Sequence, residues 1–428
     1  MELHTGVKNA GSAIQLKAWL KPRGYPFDSL DEAHVIDALK MGLAPEVHDL
    51  LVMKQDLGGS AYKKLEAAID RVEENGRVTH SLTYCGAHTG RWTSHGLQLQ
   101  NMKRPTLKID PETLNLWVGA IRNNTLTESP LDMSLLKFIG NIIRSMIRAQ
   151  GDSHFVLCDL AQIEARVLAW VSGCTTLITA FRDHRDMYKE FMAAFLGKPE
   201  EEVTKQEREL GKVVILGCGY QMGWRKFQDT VFKKIGMVLD DAEAAKVVGA
   251  YRSTYPEVVN FWSDIENAAK YSVEDKAELF VCDRFQKAYF DAATNPEMMR
   301  MVLPSGRATH YYEPRLSTKP NQFGQVGGFE YTSFSKTGAA TVSGYGGHLT
   351  ENLVQSISRD VLLDGMLNAH RKGFKLVLTV HDELIAEQPP ESPLVVEDLA
   401  ECMTTLPLWA DDNLVLGAEG FKSKFYRK

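Results

Sequence analysis

The stretch KLVLTVHDELIAE, residues 375–387, sets His381, Asp382 and Glu383 between two runs of apolar, β-favouring residues. Charged side chains are costly inside a sheet unless something pairs with them. A candidate partner lies 223 positions earlier. In FVLCDLAQIEAR a short apolar strand, residues 155–158, delivers Asp159 at its end, and Ile163, Val167, Leu168 and Val171 then fall on one face of a helix. Two strand-end carboxylates brought together in one sheet repel unless they are protonated or neutralised by a cation. Oxygen-only ligands suit Mg²⁺, which takes one or two carboxylates with phosphate oxygens and water. Taken singly, Asp159 also reads as a helix cap and Asp382 as a turn residue, both common roles for Asp. Glu164 and Arg166 are surface charges on that reading.

A third stretch, TKQERELGKVVILGCGYQMG, opens on Thr204 and Glu207, spaced as a capping box. Arg208, Lys212, Leu216 and Tyr220 follow at intervals of four and share one broad helix face. Two cations on such a face could grip a triphosphate, with Leu216 and Tyr220 against a sugar or base. Alternatively, the cations are solvated and the other two belong to the core.

The elements that must position these groups are readable in outline. Residues 12–75 look helical, with Ser12 as a cap and GSAYKKLEAAIDRVEENG running to a stop at Gly76. SLTYCGAHTGRWTSHGLQLQNMKRP, rich in Gly, Thr, Ser and amides and closed by Pro105, reads as strand and loop. A strand near 155 runs straight into a helix. Residues 175–275 are mainly helical, 303–316 combine turn and β-favouring residues, and 340–372 are again helical. The segment that opened this section is a β-hairpin, followed by a helix and a short tail. This order suggests a central antiparallel sheet assembled from distant segments, with helical insertions.

The 428 residues exceed what one hydrophobic core usually serves. With 44% hydrophobic and 24% charged residues, the composition is that of an ordinary soluble globular protein. There is no apolar run of about 18 residues to span a membrane, and MELHTGVKNAGS lacks the pattern of a secretory signal. Cys85, Cys158, Cys174, Cys218, Cys282 and Cys402 are scattered without a C-x-x-C pair, which argues for reduced thiols rather than zinc or a disulfide framework. A net charge of −6 argues against a surface that coats nucleic acid, but not against a local basic groove. The basic clusters Lys103–Arg104, Arg144 with Arg148, Arg225–Lys226 and Lys233–Lys234 read, each alone, as solvated faces.

Together, DLAQIEAR, RELGKVVILGCGY and VHDE resemble motifs A, B and C of the family A DNA polymerases, the DNA polymerase I class, and they occur in the family's order. TGRWTSHGLQLQN is similar to the family's T-G-R…L-Q-N segment. LPSGRATHYY and GGHLTENLVQSISRD are similar to stretches of phage-type members. The resemblance implies an α+β right-hand fold with an antiparallel palm sheet, helical fingers and a helical thumb. Residues 1–80 would be thumb, 81–171 and 276–428 palm, and 172–275 fingers.

The same resemblance implies template-directed addition of dNTPs to a primer 3′ end by two-metal chemistry, with two Mg²⁺ ions for which Mn²⁺ can substitute. Asp159 and Asp382 would hold metal with the Leu160 carbonyl, and Glu383 would be an auxiliary acid. Glu164 would be a steric gate against a ribose 2′-hydroxyl. Arg208, Lys212, Leu216, Tyr220 and Gln162 would line the nucleotide site, with Lys212 donating a proton to the leaving pyrophosphate. Arg91, Gln98, Gln100, Asn101, Gln355 and His381 would contact primer–template DNA near the primer end. The implied setting is the cytoplasm of a bacterial or phage-infected cell, without a membrane, and with a separate exonuclease or processivity subunit as a candidate partner. Proofreading is expected to be absent from this chain, because the 80 residues before the palm already read as thumb. The chain would then be an excised fragment, a natural short form or half of a split enzyme.

The sequence departs from the family pattern at Leu216, where Phe or Tyr is frequent, at Gln221, where Gly usually follows the tyrosine, and at Leu160 and Ala161. Two rival readings are a single-subunit RNA polymerase, against which Glu164 argues, and an inactive primer–template binding protein, against which the intact Asp159, Asp382 and Lys212 set argues.

Overall fold

Ser12 opens the first helix, Ala13–Leu20, and its hydroxyl accepts from the Gln15 amide, as the sequence signal requires. The structure, a computed structural model, describes residues 12–427 apart from 58–60, 103, 104, 106, 108, 296, 321–323, 325, 336 and 337. The basic pair Lys103–Arg104 and most of the N-terminal dodecapeptide lie outside the described residues.

The chain divides into two units. The first comprises Met1–Thr83, Ser94–Phe155 and Ser423–Lys428. Its helices include Glu32–Leu39, Pro45–Leu57, Ala61–Ile69, Pro111–Arg122 and Leu135–Ile142. One of its cores gathers Leu16, Leu20, Tyr25, Val35, Leu50 and Leu51, and another gathers Leu114, Phe138, Ile142 and Phe425. The helix expected to run to Gly76 ends at Ile69. Beyond it Val72 pairs with Val78 in a small turn, and Gly76 (φ 78°) serves that turn rather than a helix C-cap. Arg144 is not a solvated cation. It is 4% exposed, bonds the Met102 carbonyl and lies over the Tyr426 ring.

The second unit comprises Tyr84–Thr93 and Val156–Lys422 and holds the largest core. Six helices fill 163–254: Ile163–Ser172, Thr175–Arg182, Met187–Leu196, Lys205–Cys218, Trp224–Ile235 and Asp241–Thr254, and Pro256–Asp275 follows. The long helix Gly346–Lys372 has buried residues in every turn up to Ala369, so its amphipathic contrast is weak and it lies among other elements. Lys233 and Lys234 stand in the last turn of their helix, where cations favour the dipole.

One central sheet was expected; among the described residues there are two larger sheets, besides a two-stranded one of two residues per strand. The four-stranded sheet has the order Leu376–Val380, Glu383–Gln388, His154–Leu160, Ala418–Ser423. It is built from distant segments, as anticipated, but its last strand comes from what looked like a tail. The second sheet has six antiparallel strands in sequence order, from Glu278–Cys282 to Gly338–Ser343. Residues 340–343, read as helix, are its last strand, and the helix starts at Gly346. The short run AATVS, with Thr341 and Val342 β-branched, fits an edge strand once residues 330–334 are there to pair with it.

Candidate active site

Strand His154–Leu160 is buried at every residue except Asp159, which is half-buried. Asp159 does not cap the next helix. Gln162 takes the N-cap position at φ 53° without a side-chain cap bond, so the capping alternative falls. The Leu160 amide instead donates to the Asp382 carbonyl at 3.0 Å, which lays the hairpin turn beside the end of this strand. That turn consists of His381 and Asp382, because Val380 pairs directly with Glu383. His381 is exposed in this turn at φ 55°, whereas Glu383 opens the second strand at 3% exposure.

Arg91 draws the charged groups together. Its Nη1 lies 2.8 Å from Glu164 Oε1 and its Nη2 lies 3.2 Å from Asp382 Oδ1. The Tyr220 hydroxyl donates to the other Glu164 oxygen at 3.2 Å. Burial raises the Asp382 carboxyl. The Arg91 charge opposes this, while the Glu164 and Asp159 charges add to it. The effect of Asp159 on Asp382 marks the two carboxylates as neighbours. Burial also works against charge on Arg91, but Asp382 and Glu164 outweigh it and hold the guanidinium charged.

The loop carrying Arg91 is anchored by two further arginines that sequence reasoning missed. Arg359, 2% exposed, donates to the Gly90 carbonyl at 3.0 Å and lies between the Tyr84 and Trp92 rings. Arg307 donates to the carbonyls of Thr89 and Ser356 at 3.0 Å each. Both arginines meet Asp360, which also accepts from Ser305. Gly90 has φ 83°, and a Cβ there would fall 2.3 Å from an Arg307 nitrogen. The Arg359–Asp360 doublet in SISRD, on a stretch otherwise buried, was the available signal.

The capping box of Lys205–Cys218 forms as read. Arg208 on this helix donates to Asp186 at 2.6 Å and lies over Tyr188. Lys212 is exposed and has no ion pair among the described residues. Leu216 and Tyr220 are half-buried and pack against the core. Tyr220 lies just past the helix, which ends at Cys218 with Gly219 as cap, and the Trp262 indole closes that end on the Gly219 carbonyl at 2.8 Å. Gln162 bonds Tyr188, whose hydroxyl burial otherwise raises. Arg166, read as a surface charge, is 9% exposed and ties the Ala161 and Val415 carbonyls together.

Gln221, at the family's usual glycine position, has φ 62°. Its side-chain oxygen accepts from the Gly347 amide at 2.9 Å, and Glu266 accepts from the Gly346 amide at 2.9 Å. The two side chains thus satisfy the open N-terminus of the long helix. Gln355 on that helix donates to Glu351 at 3.1 Å. In the first unit, Gln98 (φ 47°) precedes a short 3₁₀ helix, Leu99–Asn101, which contains Gln100, and Lys64 donates to the carbonyls of Gln98 and Asn101. Among the described residues, no group of three or more His, Cys, Asp and Glu is arranged to hold a metal ion. No helix among them is long and apolar enough to cross a membrane.

The model of DNA polymerase family A matches residues 32–279. The chain is similar to a DNA polymerase of Bacillus phage SP02, 29% identical over 429 aligned residues, covering 99% of this chain and 64% of the relative. It is also similar to DNA polymerase I of Aquifex aeolicus, 24% identical over 239 residues, covering 54% of this chain and 35% of that one. The chain therefore spans less than two thirds of the length of these relatives. A solved structure, the POL domain of Pol1 from M. smegmatis in complex with DNA primer-template and dNTP, shares the fold with a TM-score of 0.64 at 17% identity. That likeness covers 100% of this chain and 63% of the other.

Proposed function

The chain belongs to DNA polymerase family A, and from that premise we propose that it adds dNTPs to the 3′ end of a primer paired to a template. The observation that carries the proposal is the meeting of Asp382 and Glu164 at Arg91, with Tyr220 bonded to Glu164 and Asp159 acting on Asp382. Three segments far apart in sequence supply one charged cluster, and a core has no use for such a cluster.

The donor set fits Mg²⁺. Two carboxylates and the Leu160 carbonyl offer oxygen only, and the charge of Asp159 works against that of Asp382. With no third acid completing a cage among the described residues, substrate phosphates and water would supply the remaining ligands, as Mg²⁺ prefers. Bound there, Mg²⁺ supplies neutralisation of the attacking and leaving oxygens. The buried carboxyl of Glu383, next to Asp382, is assigned as the auxiliary acid.

The chain's own groups do the rest. Lys212 and Arg208 hold the triphosphate, Arg208 by exchanging Asp186 for phosphate, and Lys212 delivers a proton to the departing pyrophosphate oxygen. Glu164 is held on one oxygen by Arg91 and on the other by Tyr220, so it cannot swing aside to admit a 2′-hydroxyl. Leu216 offers the sugar an aliphatic face, and Gln162 orients Tyr188 behind Arg208. Arg91, Gln355 and His381 contact the primer–template. Gln98, Gln100 and Asn101 are proposed as a separate contact with the same DNA. The first helices are assigned to the thumb, 81–171 and 276–428 to the palm, and 172–275 to the fingers. No proofreading activity is assigned to these 428 residues.

Primer extension with Mg²⁺ tests the proposal. Wild type extends a primer–template with dNTPs in preference to rNTPs, and Asp382→Asn loses activity on the order of a thousandfold, the scale for removing one charge-stabilising group. Preference for rNTPs would move the chain to the RNA polymerase reading. Absence of extension by wild type would leave the binding-protein reading.

A further inference from the structure

Glu351 sits one helical turn before Gln355 on Gly346–Lys372, and the Gln355 amide nitrogen donates to Glu351 Oε1 at 3.1 Å. Glu351 is half-buried. Burial raises its carboxyl and the charge of Glu164 raises it further, while Lys226 and Arg91 act in the opposite sense. The Tyr220 and Tyr345 hydroxyls also feel its charge. Glu351 is therefore an acid set beside the proposed site, among groups from four other segments. The chemistry assigned above gives it no task.

A glutamine side chain is nearly symmetric in shape but not in function, because turning the amide over exchanges a donor for an acceptor. The minor-groove edge offers an acceptor at every base pair, purine N3 or pyrimidine O2, and a donor only at the guanine 2-amino group. A residue that serves every sequence must present a donor. A carboxylate can only accept, so beside Glu351 the amide is held with its nitrogen toward the carboxylate, since the turned-over amide would set oxygen against oxygen. One N–H is then engaged and the second is free for a groove acceptor.

We propose that Glu351 is a positioning residue that fixes the Gln355 amide with its donor toward the minor groove. The proposal rests on the reading of Gln355 as a primer–template contact. Glu351 itself touches neither substrate nor metal. Its effect is on which face of Gln355 the DNA meets.

The test uses primer–templates in which the purine at each of the last few pairs is replaced in turn by its 3-deaza analogue, which lacks the N3 acceptor. The readout is kcat/KM for adding the next nucleotide by wild type, Gln355→Ala, Glu351→Leu and Glu351→Gln. Wild type loses on the order of tenfold at one pair, the value of one hydrogen bond to a donor. That loss vanishes in Gln355→Ala and in Glu351→Leu, and it is largely kept in Glu351→Gln, whose amide oxygen can still accept. A merely structural role for Glu351 would lower activity on all DNAs and leave the analogue penalty intact. If Glu351→Leu keeps the full penalty while Gln355→Ala loses it, the inference is overturned and the Gln355 reading stands. If wild type shows no penalty at any pair, or Gln355→Ala retains it, both fall.

Discussion

Replacing Arg359 by Met is the perturbation whose cost the structure defines best. The guanidinium is 2% exposed, bonds the Gly90 carbonyl at 3.0 Å, Asp360 at 3.2 Å and the Cys85 sulfur at 3.6 Å, and makes two ring contacts, at 5.0 Å to Tyr84 and 4.8 Å to Trp92. Removing one partner of a buried ion pair costs about 3–5 kcal/mol when the other charge is stranded. Asp360 is not stranded, because Arg307 Nε remains 2.8 Å away and Ser305 still donates to it. The largest losses are then the charge-assisted bond to Gly90, about 1.5–3 kcal/mol, and two cation–π contacts of about 0.5–1 kcal/mol each, the long bond to the Cys85 sulfur adding little. Relief from desolvating a charge offsets part of this, so the net expectation for Arg359→Met is about 2–3 kcal/mol. Arg359→Ala leaves a void as well and costs roughly 2 kcal/mol more. Urea unfolding followed by circular dichroism measures both. Hydrogen exchange should show amides of residues 84–93 opening first, with primer extension falling as Arg91 loses its frame. A loss below about 1 kcal/mol in Arg359→Met, or equal losses in the two variants, would refute the reasoning.

Other consequences can be checked in parallel. Gly347→Ala would put a Cβ 2.4 Å from the Tyr220 carbonyl oxygen and 2.6 Å from Gln221 Cβ, so a loss of about 1–3 kcal/mol is expected together with a raised dNTP KM; a neutral variant would sink the account of this contact. Asp291 is fully buried; burial alone would raise its carboxyl, but Arg300 and the Thr294 amide and hydroxyl hold it at about 2. Its folded value lies below the unfolded one, so its stabilisation is whole above an ordinary carboxylate pKa and is lost as pH falls toward about 2. That amounts to roughly 2 kcal/mol, and acid titration of Asp291→Asn should lack this part of the loss. In Asp241–Thr254, Gly249 is exposed with open space where a Cβ would stand. Gly249→Ala should stabilise by about 0.4–1 kcal/mol, and a lower unfolding midpoint would contradict this.

Much of the candidate site was legible because its signals are local. The capping box at Thr204, the strand that delivers Asp159 and the hairpin around Asp382 are each specified by a dozen neighbouring residues. What escaped were contacts made across long stretches of chain. Nothing near Arg91 in sequence announces that it will bridge Glu164 and Asp382, and Asp186 looks like an ordinary helix cap until Arg208 reaches it. Gln221 looked like a bare departure from the family pattern, yet its side-chain oxygen closes the start of a helix 126 residues later. The two sheets were merged into one because strand signals carry no record of which strands pair. The helix expected over 340–345 was mistaken because AATVS is too short to show a period of its own.

The two sheets also differ in when they can form. The six-stranded sheet pairs each strand with its neighbour in sequence, so its contacts close short loops and can appear as soon as residues 278–343 exist. The four-stranded sheet must wait. Its Asp159 strand lies between the hairpin that carries Asp382 and the strand Ala418–Ser423. On a ribosome the two carboxylates therefore cannot meet until 223 further residues have followed Asp159, and the strand that flanks them emerges later still. Until then the apolar strand before Asp159 has both edges open, and an unfinished chain carries an aggregation-prone segment where the finished chain carries its proposed catalytic centre.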